Sequence, residues 1–355
     1  MKLEDLGYND LLKSYRKENK LDGFNVGRVI SEHKDRYFVR TSTNDYDSEI
    51  TGNLRYSAAE RSDYPAVGDW VAISEYDDDK ALIHAVFPRK SIIERQAVGK
   101  HGEKQIIATN IDMAFIVQAV DRDFNINRLE RYLTICHASK VEAMIILNKI
   151  DLINDEQLAS MMTGIRERIK DVPLIAVSNQ SGQGINTLKE YIVKGNTYCL
   201  LGSSGVGKST LINTLSGRPL METDLISEST QRGRHVTTHR ELIVMDNGGL
   251  LIDNPGMREV GITDSTDGME KTFDIIGELS VSCKFKDCTH TTESGCAVLE
   301  AVNDNRIERS AYENYLKMER ERKHFEMNIA DKRRRDKHFG KMMKNYKKMR
   351  NQGEL

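Results

Sequence analysis

From Ile111 to Gly217 short apolar runs alternate with amphipathic runs of helical period, and "TYCLLG" leads through "GSSGVGKST" into "KSTLINTLSG". No other feature restricts the fold as strongly. "DMAFIVQAV", "EAMIILN", "PLIAVS" and "TYCLLG" read as buried strands. "NINRLERYLTICHASK", "DEQLASMMTGIRERIK" and "GINTLKEYIV" read as the helices between them, the first with Leu129, Tyr132, Leu133 and Cys136 on one face. Such alternation predicts a parallel α/β sheet with ligands at the carboxyl ends of its strands. "HRELIVMDNGGLLIDNPG" adds a hairpin that turns at Asn247-Gly248-Gly249.

Gly202, Ser203, Ser204, Gly205, Val206, Gly207, Lys208 and Ser209 match G-x-x-x-x-G-K-[ST] in a strand–loop–helix setting, and Thr210 follows on the helix. The glycines let successive backbone N–H groups face inward around phosphates. Lys208 is placed to reach β- and γ-phosphate oxygens, and Ser209 offers a hydroxyl to Mg²⁺. The helix N-terminus adds positive potential. Asp253, at the end of "GLLID", can hold Mg²⁺ through water, and Gly256 can give its N–H to a γ-phosphate. Between them "TQRGRHVTTHREL" is polar and aperiodic, as a nucleotide-sensing switch would be. Thr237 or Thr238 would complete the Mg²⁺ shell there.

A base-reading set is also present, but earlier in the chain. In "LNKIDL" the Asp151 carboxylate can accept from guanine N1–H and N2–H₂ together, a match that adenine lacks. Asn148 would bond the purine edge or tie its loop to the phosphate loop. The Lys149 stem would cover the base. Ser178-Asn179-Gln180, after the next strand, can present backbone N–H to guanine O6. Ordinary GTPases run phosphate, switch, switch, base, base. Here Gly202 lies 54 residues after Asn148, so the order is a circular permutation. Only sheet order and strand ends build such a pocket, so permutation leaves it intact.

Cys283, Cys288, His290 and Cys296 fall within 14 residues. Three thiolates and an imidazole close a tetrahedral shell, the form of one structural Zn²⁺ site with no open position for catalysis. The other two of the five cysteines, Cys136 and Cys199, sit in apolar runs and read as inert core residues.

Residues 1–20 read as a short amphipathic helix or a frayed arm. From Phe24 to about Lys100, "NVGRVI", "RYFVRT", "SEITGNL", "VGDWVAI" and "ALIHAVF" read as five short strands of a small closed barrel, OB-fold or SH3-like. Residues 269–280 look helical, and a further helix is expected from about Asn303, with Ile307, Ala311, Tyr312, Tyr315 and Leu316 on one stripe. Net charge is −2, yet residues 331–350 carry ten Lys/Arg and two Asp. A basic tail on an acidic body points to a polyanionic partner, a solvated helix end being the alternative. With no long apolar run and no signal-peptide pattern, a cytoplasmic location without membrane contact is expected.

Together "NKIDL", "GSSGVGKSTLIN", "GRHVTTHREL", "LIDNPGMRE" and "CKFKDCTHTTESGCAV" resemble the RsgA family (also called YjeQ or YloQ), circularly permuted GTPases of the small ribosomal subunit. The resemblance runs from about Phe24 to about Arg322. It implies a multidomain α/β chain with an OB-fold β-barrel (24–105), a central circularly permuted P-loop GTPase domain (106–262) and a C-terminal helical zinc-binding domain (263–325); the residue pattern adds an N-terminal arm (1–23) and a basic tail (326–355), and the tail varies in the family. The resemblance implies GTP/GDP, Mg²⁺ and one Zn²⁺ as ligands. It also implies action on the 30S subunit and its 16S rRNA, in late maturation, with hydrolysis stimulated by the subunit; a monomer is expected. Met257 stands where many GTPases have a water-orienting Gln, so slow intrinsic hydrolysis is expected. The resemblance points to His235 as the group that reaches the γ-phosphate, with RNA contact as its alternative role. The family pattern usually has Thr where Val236 stands. A binding protein for rRNA that rarely hydrolyses its nucleotide is the rival reading. A permuted GTPase acting on the large subunit is a second.

Overall fold

The computed structural model describes residues 1–33, 36–96, 104–121, 124–219, 240–253, 266–326 and 334. His235, Val236, Thr237, Thr238, Gly256 and Met257 lie outside them, as does the basic tail apart from Glu326 and Arg334.

The N-terminal segment takes the helical alternative. After a 3₁₀ turn at Leu3–Leu6, helix α1 (Asp10–Glu18) starts where the Asn9 side chain accepts from the Leu12 amide. Capping of this kind satisfies an amide the helix cannot. Leu6, Tyr8 and Leu12 are buried, with Tyr8 and Trp70 ring centroids 5.0 Å apart.

Five strands then close a barrel: β1 (Asn25–His33), β2 (Arg36–Arg40), β3 (Asp45–Ile50), β4 (Trp70–Asp77) and β5 (Lys80–Val86). Pairing runs β1-β2-β3-β5-β4 and returns from β4 to β1, with β3–β5 the parallel pair. Period-two patterning drives this. In β2, Tyr37 and Val39 point into a core with Val29, Tyr46, Val71, Ile73 and Ile83, while Phe38 faces out. "SEITGNL" is not one strand. β3 stops at Ile50, because the Thr51 hydroxyl accepts from the Leu54 amide at 3.3 Å and caps helix α2 (Gly52–Ser57). A hairpin that the strand patterns did not reveal, β6 (Ile92–Gln96) with β7 (Lys104–Thr109), follows the barrel.

The barrel continues into the second sheet. Ser31 of β1 pairs with Glu241 of β12 (Glu241–Val244), which makes one eleven-stranded sheet. Arg28 fastens the joint. It is 1% exposed and donates to the carbonyls of Leu6, Gly68 and Asn110 at 2.6, 3.1 and 3.4 Å. Burial lowers its pKa to about 10, and it stays charged at neutral pH.

The second sheet has the order β10-β9-β8-β11-β13-β12. Its parallel strands are β8 (Met113–Ala119), β9 (Glu142–Asn148), β10 (Leu174–Ala176), β11 (Thr197–Leu201) and β13 (Leu250–Asp253); β12 is antiparallel to β13. Helices α3 (Ile126–Ala138), α4 (Asp155–Arg168), α5 (Ile185–Glu190) and α6 (Lys208–Ser216) connect the strands. Both faces are covered, so the strands are almost uniformly apolar. In β8, Ala114 and Ile116 enter one core while Phe115, Val117 and Ala119 enter the other. The chain winds outward from β8 through β9 and β10. It then returns to β11 and winds the other way through β13. The reversal lies between β8 and β11, and a ligand crevice forms outside the carboxyl ends at such a point.

The C-terminal unit is helical: α7 (Thr266–Thr272), α8 (Asp274–Ser280), α9 (Ala297–Asn303) and α10 (Arg309–Glu326). The helix expected from Asn303 is displaced. Asn303 ends α9, and Asn305 adopts φ 56°, a left-handed turn that stops one helix before the next. Ile307 precedes α10 yet packs in the same core as Tyr312, Tyr315 and Leu316. This unit sits on the second sheet's helices. Arg168 and Glu130 form a buried ion pair at 2.7 Å, and Asn314 and Ser310 of α10 bond into it.

Candidate nucleotide site and metal centre

At the switch point the loop after β11 turns on three glycines. Gly202, Gly205 and Gly207 have φ of 154°, 78° and 94°. A Cβ on Gly202 would sit 2.3 Å from the Val117 carbonyl oxygen, so only glycine lets the loop pass β8. Ser204 and Gly205 form the exposed crown, while Val206 is buried below it. The Lys208 ammonium donates to the carbonyls of Gly202 and Ser203 at 2.8 and 2.5 Å, which holds its charge at the loop. Ser209 and Thr210 lie in the first turn of α6, where backbone N–H groups have no helical partner.

Two asparagines bind the neighbouring strand ends to this loop. Asn148, 1% exposed at the end of β9, donates to the Val206 carbonyl at 2.8 Å. Asn179 donates to the Gly207 carbonyl at 3.2 Å. The side-chain oxygens of both asparagines are buried and have no partner among the described residues, which fits a site completed by a ligand. Lys149 adopts φ 64°, and its ammonium lies 3.1 Å from Asp121. The Ser178 hydroxyl donates to Asp151, and it accepts from the Gln180 and Ser181 amides at 3.2 and 3.0 Å. Asp151 is thus held in place, with its side chain exposed at the crevice. Asp253 ends β13 beside β11, one residue past the Cys199–Ile252 pair. Its carboxylate and the Ser209 hydroxyl are hard oxygen donors of the kind Mg²⁺ selects.

The metal centre is compact. The sulfurs of Cys283, Cys288 and Cys296 and a ring nitrogen of His290 all lie within 4.8 Å of one another. His290 Nδ1 is 3.6 Å from Cys283 Sγ and 3.4 Å from Cys296 Sγ, and those sulfurs are 3.9 Å apart. A tetrahedral shell with ligand bonds of roughly 2.1–2.3 Å has edges of about 3.4–3.8 Å, so the cluster fits one structural Zn²⁺. Burial lowers the His290 pKa and keeps the ring in its neutral, ligating form. Cys296 caps α9 by accepting from the Leu299 amide, and the Tyr312 hydroxyl donates to the His290 carbonyl at 2.6 Å. Cys136 and Cys199 lie elsewhere, fully buried. Burial pushes the Cys199 thiol up to about 12 and raises Cys136 too, so both stay protonated.

Two contacts at the phosphate loop were not read from the sequence. The sequence pattern assigns Asn179 only a backbone role, and its position three residues after the strand "LIA" is the only signal of a second clamp. Arg128 donates to the Ser203 hydroxyl at 2.8 Å.

A phosphate loop at the reversal of a parallel sheet, with the Asn-Lys-x-Asp strand end ahead of it in the chain, defines a circularly permuted P-loop GTPase. The RsgA GTPase family model matches residues 86–263. The chain is 38% identical over 343 residues to the small ribosomal subunit biogenesis GTPase RsgA 1 of Bacteroides thetaiotaomicron, with 96% of each chain covered. It is 43% identical over 302 residues to the small ribosomal subunit biogenesis GTPase RsgA 2 of Lactiplantibacillus plantarum, covering 85% of this chain and 84% of that one. The chain belongs to the RsgA GTPase family. Its fold matches the crystal structure of YjeQ from Thermotoga maritima (TM-score 0.62, 26% identity, 83% of this chain and 96% of that one). It also matches YloQ, a circularly permuted GTPase (TM-score 0.61, 24% identity, 86% and 97%). An ABC transporter model matches residues 185–345, a span that contains the phosphate loop. Among the described residues no helix is long and apolar enough to cross a membrane.

Proposed function

We propose that this GTPase acts in the cytoplasm, as a monomer, on the small ribosomal subunit, contacting 16S rRNA and spending one GTP on a late maturation step. The observation that carries this reading is the full-length match to small ribosomal subunit biogenesis GTPases, 96% of both chains in one case. The barrel and the zinc unit, one before and one after the nucleotide domain, supply surfaces for a large partner.

In this reading the phosphates lie in the cradle from Gly202 to Thr210, and Lys208 neutralises their charge. Ser209 and Asp253 hold Mg²⁺, which offsets charge on the β- and γ-phosphates when bound. Asp151 accepts from guanine N1–H and N2–H₂. Since the Ser178 hydroxyl occupies the Gln180 and Ser181 amides, the Asn179 amide is assigned to guanine O6. Asn148 and Lys149 complete the base pocket. Gly256, Thr237, Thr238 and His235 are assigned to the γ-phosphate side. Met257 favours slow hydrolysis by the chain alone, with water positioned only on the partner.

The test is GTP turnover measured across a series of 30S concentrations and several salt levels. Stimulation that weakens with salt supports the reading. A flat rate supports the rival, an rRNA-binding protein that seldom hydrolyses. Asp151→Asn tests the base assignment separately, because an amide can donate to the 2-oxygen of xanthine. Undiminished GTP affinity in that variant would remove Asp151 from the site.

A further inference from the structure

We propose that Arg128 is a positioning residue that passes the seating of the zinc unit on α3 to the phosphate loop; the inference rests on the nucleotide site as assigned above. Three observations converge on this helix. The first is at its N-terminal turn, where Arg128 Nη1 donates to Ser203 Oγ at 2.8 Å. The second is at Ser203 itself, whose carbonyl accepts from Lys208 Nζ at 2.5 Å. One loop residue therefore carries both Arg128 and the ammonium meant for the phosphates. The third is one turn along, where Arg131 donates through both Nη atoms to the Glu321 carboxylate of α10, at 2.8 and 2.5 Å.

Arg128 and Arg131 are three residues apart, hence neighbours on the helix surface. The second is clasped by the zinc unit and the first by the phosphate loop. Beside them Glu130 joins Arg168 and Asn314. At the far end Gly268 of α7 lies against α3, where an added Cβ would come within 2.4 Å of the Thr134 carbonyl oxygen. A 13-residue helix gripped at several points by one unit moves with that unit. Helix energetics do not explain an arginine in this first turn, since the macrodipole disfavours a cation there. Its contact with Ser203 does. When a partner shifts the zinc unit, α3 shifts Ser203, and the Lys208 ammonium follows. Displacements near 1 Å at such a group change rates by up to about 100-fold.

The test uses the full chain with Arg128→Ala, Arg128→Lys, Glu321→Gln and the double variant Arg128→Ala/Glu321→Gln. For each, kcat and KM are measured with and without 30S subunits, together with GDP affinity and melting temperature. Arg128→Ala is expected to lower kcat by about 5- to 10-fold with KM, GDP affinity and melting temperature nearly unchanged, and Arg128→Lys to restore part of the loss. Glu321→Gln is expected to keep the basal rate and to lose about 5-fold of the stimulated one. The double variant should be no slower than Arg128→Ala. Fully additive losses, or an unchanged kcat in Arg128→Ala, would overturn the relay. Lys208→Ala separates the two readings. If it abolishes nucleotide binding while Arg128→Ala is silent, the relay alone fails. If it binds GTP as well as the native chain, the nucleotide site itself is wrong.

Discussion

The Asn148 side-chain amide meets the Val206 carbonyl at 2.8 Å across 58 residues of chain. That one bond joins the strand end assigned to the base to the loop assigned to the phosphates. Asn179 repeats it at Gly207. Both bonds connect adjacent strand ends, so neither depends on which strand comes first in the chain. The permuted order changes something else: β13 ends at Asp253 and α7, the first helix of the zinc unit, starts 13 residues later at Thr266. In the usual order that connection would lead to another strand of the sheet.

Asn148→Ala should weaken GTP and GDP alike. It leaves the Val206 carbonyl without its donor and frees the base loop, a loss of about 1–3 kcal/mol for a buried polar group. Nucleotide affinity should therefore fall roughly 5- to 150-fold, read by titration with a fluorescent GDP analogue. An affinity within twofold of the native chain would mean that the link holds nothing together.

Gly207→Ala should be more severe. Gly207 has φ 94°, and its added Cβ would lie 2.3 Å from Asn148 Nδ2. Either the left-handed turn or the Asn148 clamp must give way. Binding should drop at least as far as in Asn148→Ala. The two changes should not add when combined, because both break one contact. Equilibrium binding of the three variants decides this.

Much of this architecture was legible in the sequence, and for identifiable reasons. Strands buried on both faces, such as "DMAFIVQAV", announce themselves by uniform apolarity, and Gly217, in a left-handed conformation at φ 67°, marks the end of α6. The four residues of the Cys/His cluster lie within 14 residues, so local spacing was enough to bring them together. Local patterns failed where a single polar residue decides. Thr51 turns the end of a strand-like run into a helix cap, and the left-handed Asn305 lies between α9 and α10, so that the helix expected from about Asn303 starts only at Arg309. Long-range contacts were hidden altogether. Nothing near Arg128 indicates Ser203, 75 residues away, and nothing near Arg28 indicates Asn110.

Zinc should be present at about one ion per chain and should hold the C-terminal unit together. Cys296 is 2% exposed, belongs to the proposed ligand set and caps α9, so Cys296→Ser removes a thiolate from the set while leaving an oxygen able to cap the helix. Metal content should fall to near zero, and limited proteolysis should cut within residues 266–326. Cys136→Ser, in the sheet core, should leave the zinc content unchanged. Equal loss from both variants would contradict the assignment.

The interface between α3 and α7 should be sensitive to acid through His137. Its Nδ1 lies 3.0 Å from the Thr272 hydroxyl, and burial, helped by Lys271, lowers its pKa from 6.5 to about 4. Above pH 6.5 the ring is neutral whether the chain is folded or not, and it contributes no pH dependence. Below that, the unfolded chain takes up a proton that the folded one refuses. Stability is therefore lost as pH falls from 6.5 to about 4, and the loss levels off below. The slope is bounded by about 1.4 kcal/mol per pH unit and is smaller here because the ring is only partly buried. Urea unfolding of the native chain and of His137→Gln at pH 7.5, 5.5 and 4.5 isolates this group from the carboxylates. The two stability curves should converge as pH falls through this window. Curves that stay parallel would show that His137 titrates as it would in water.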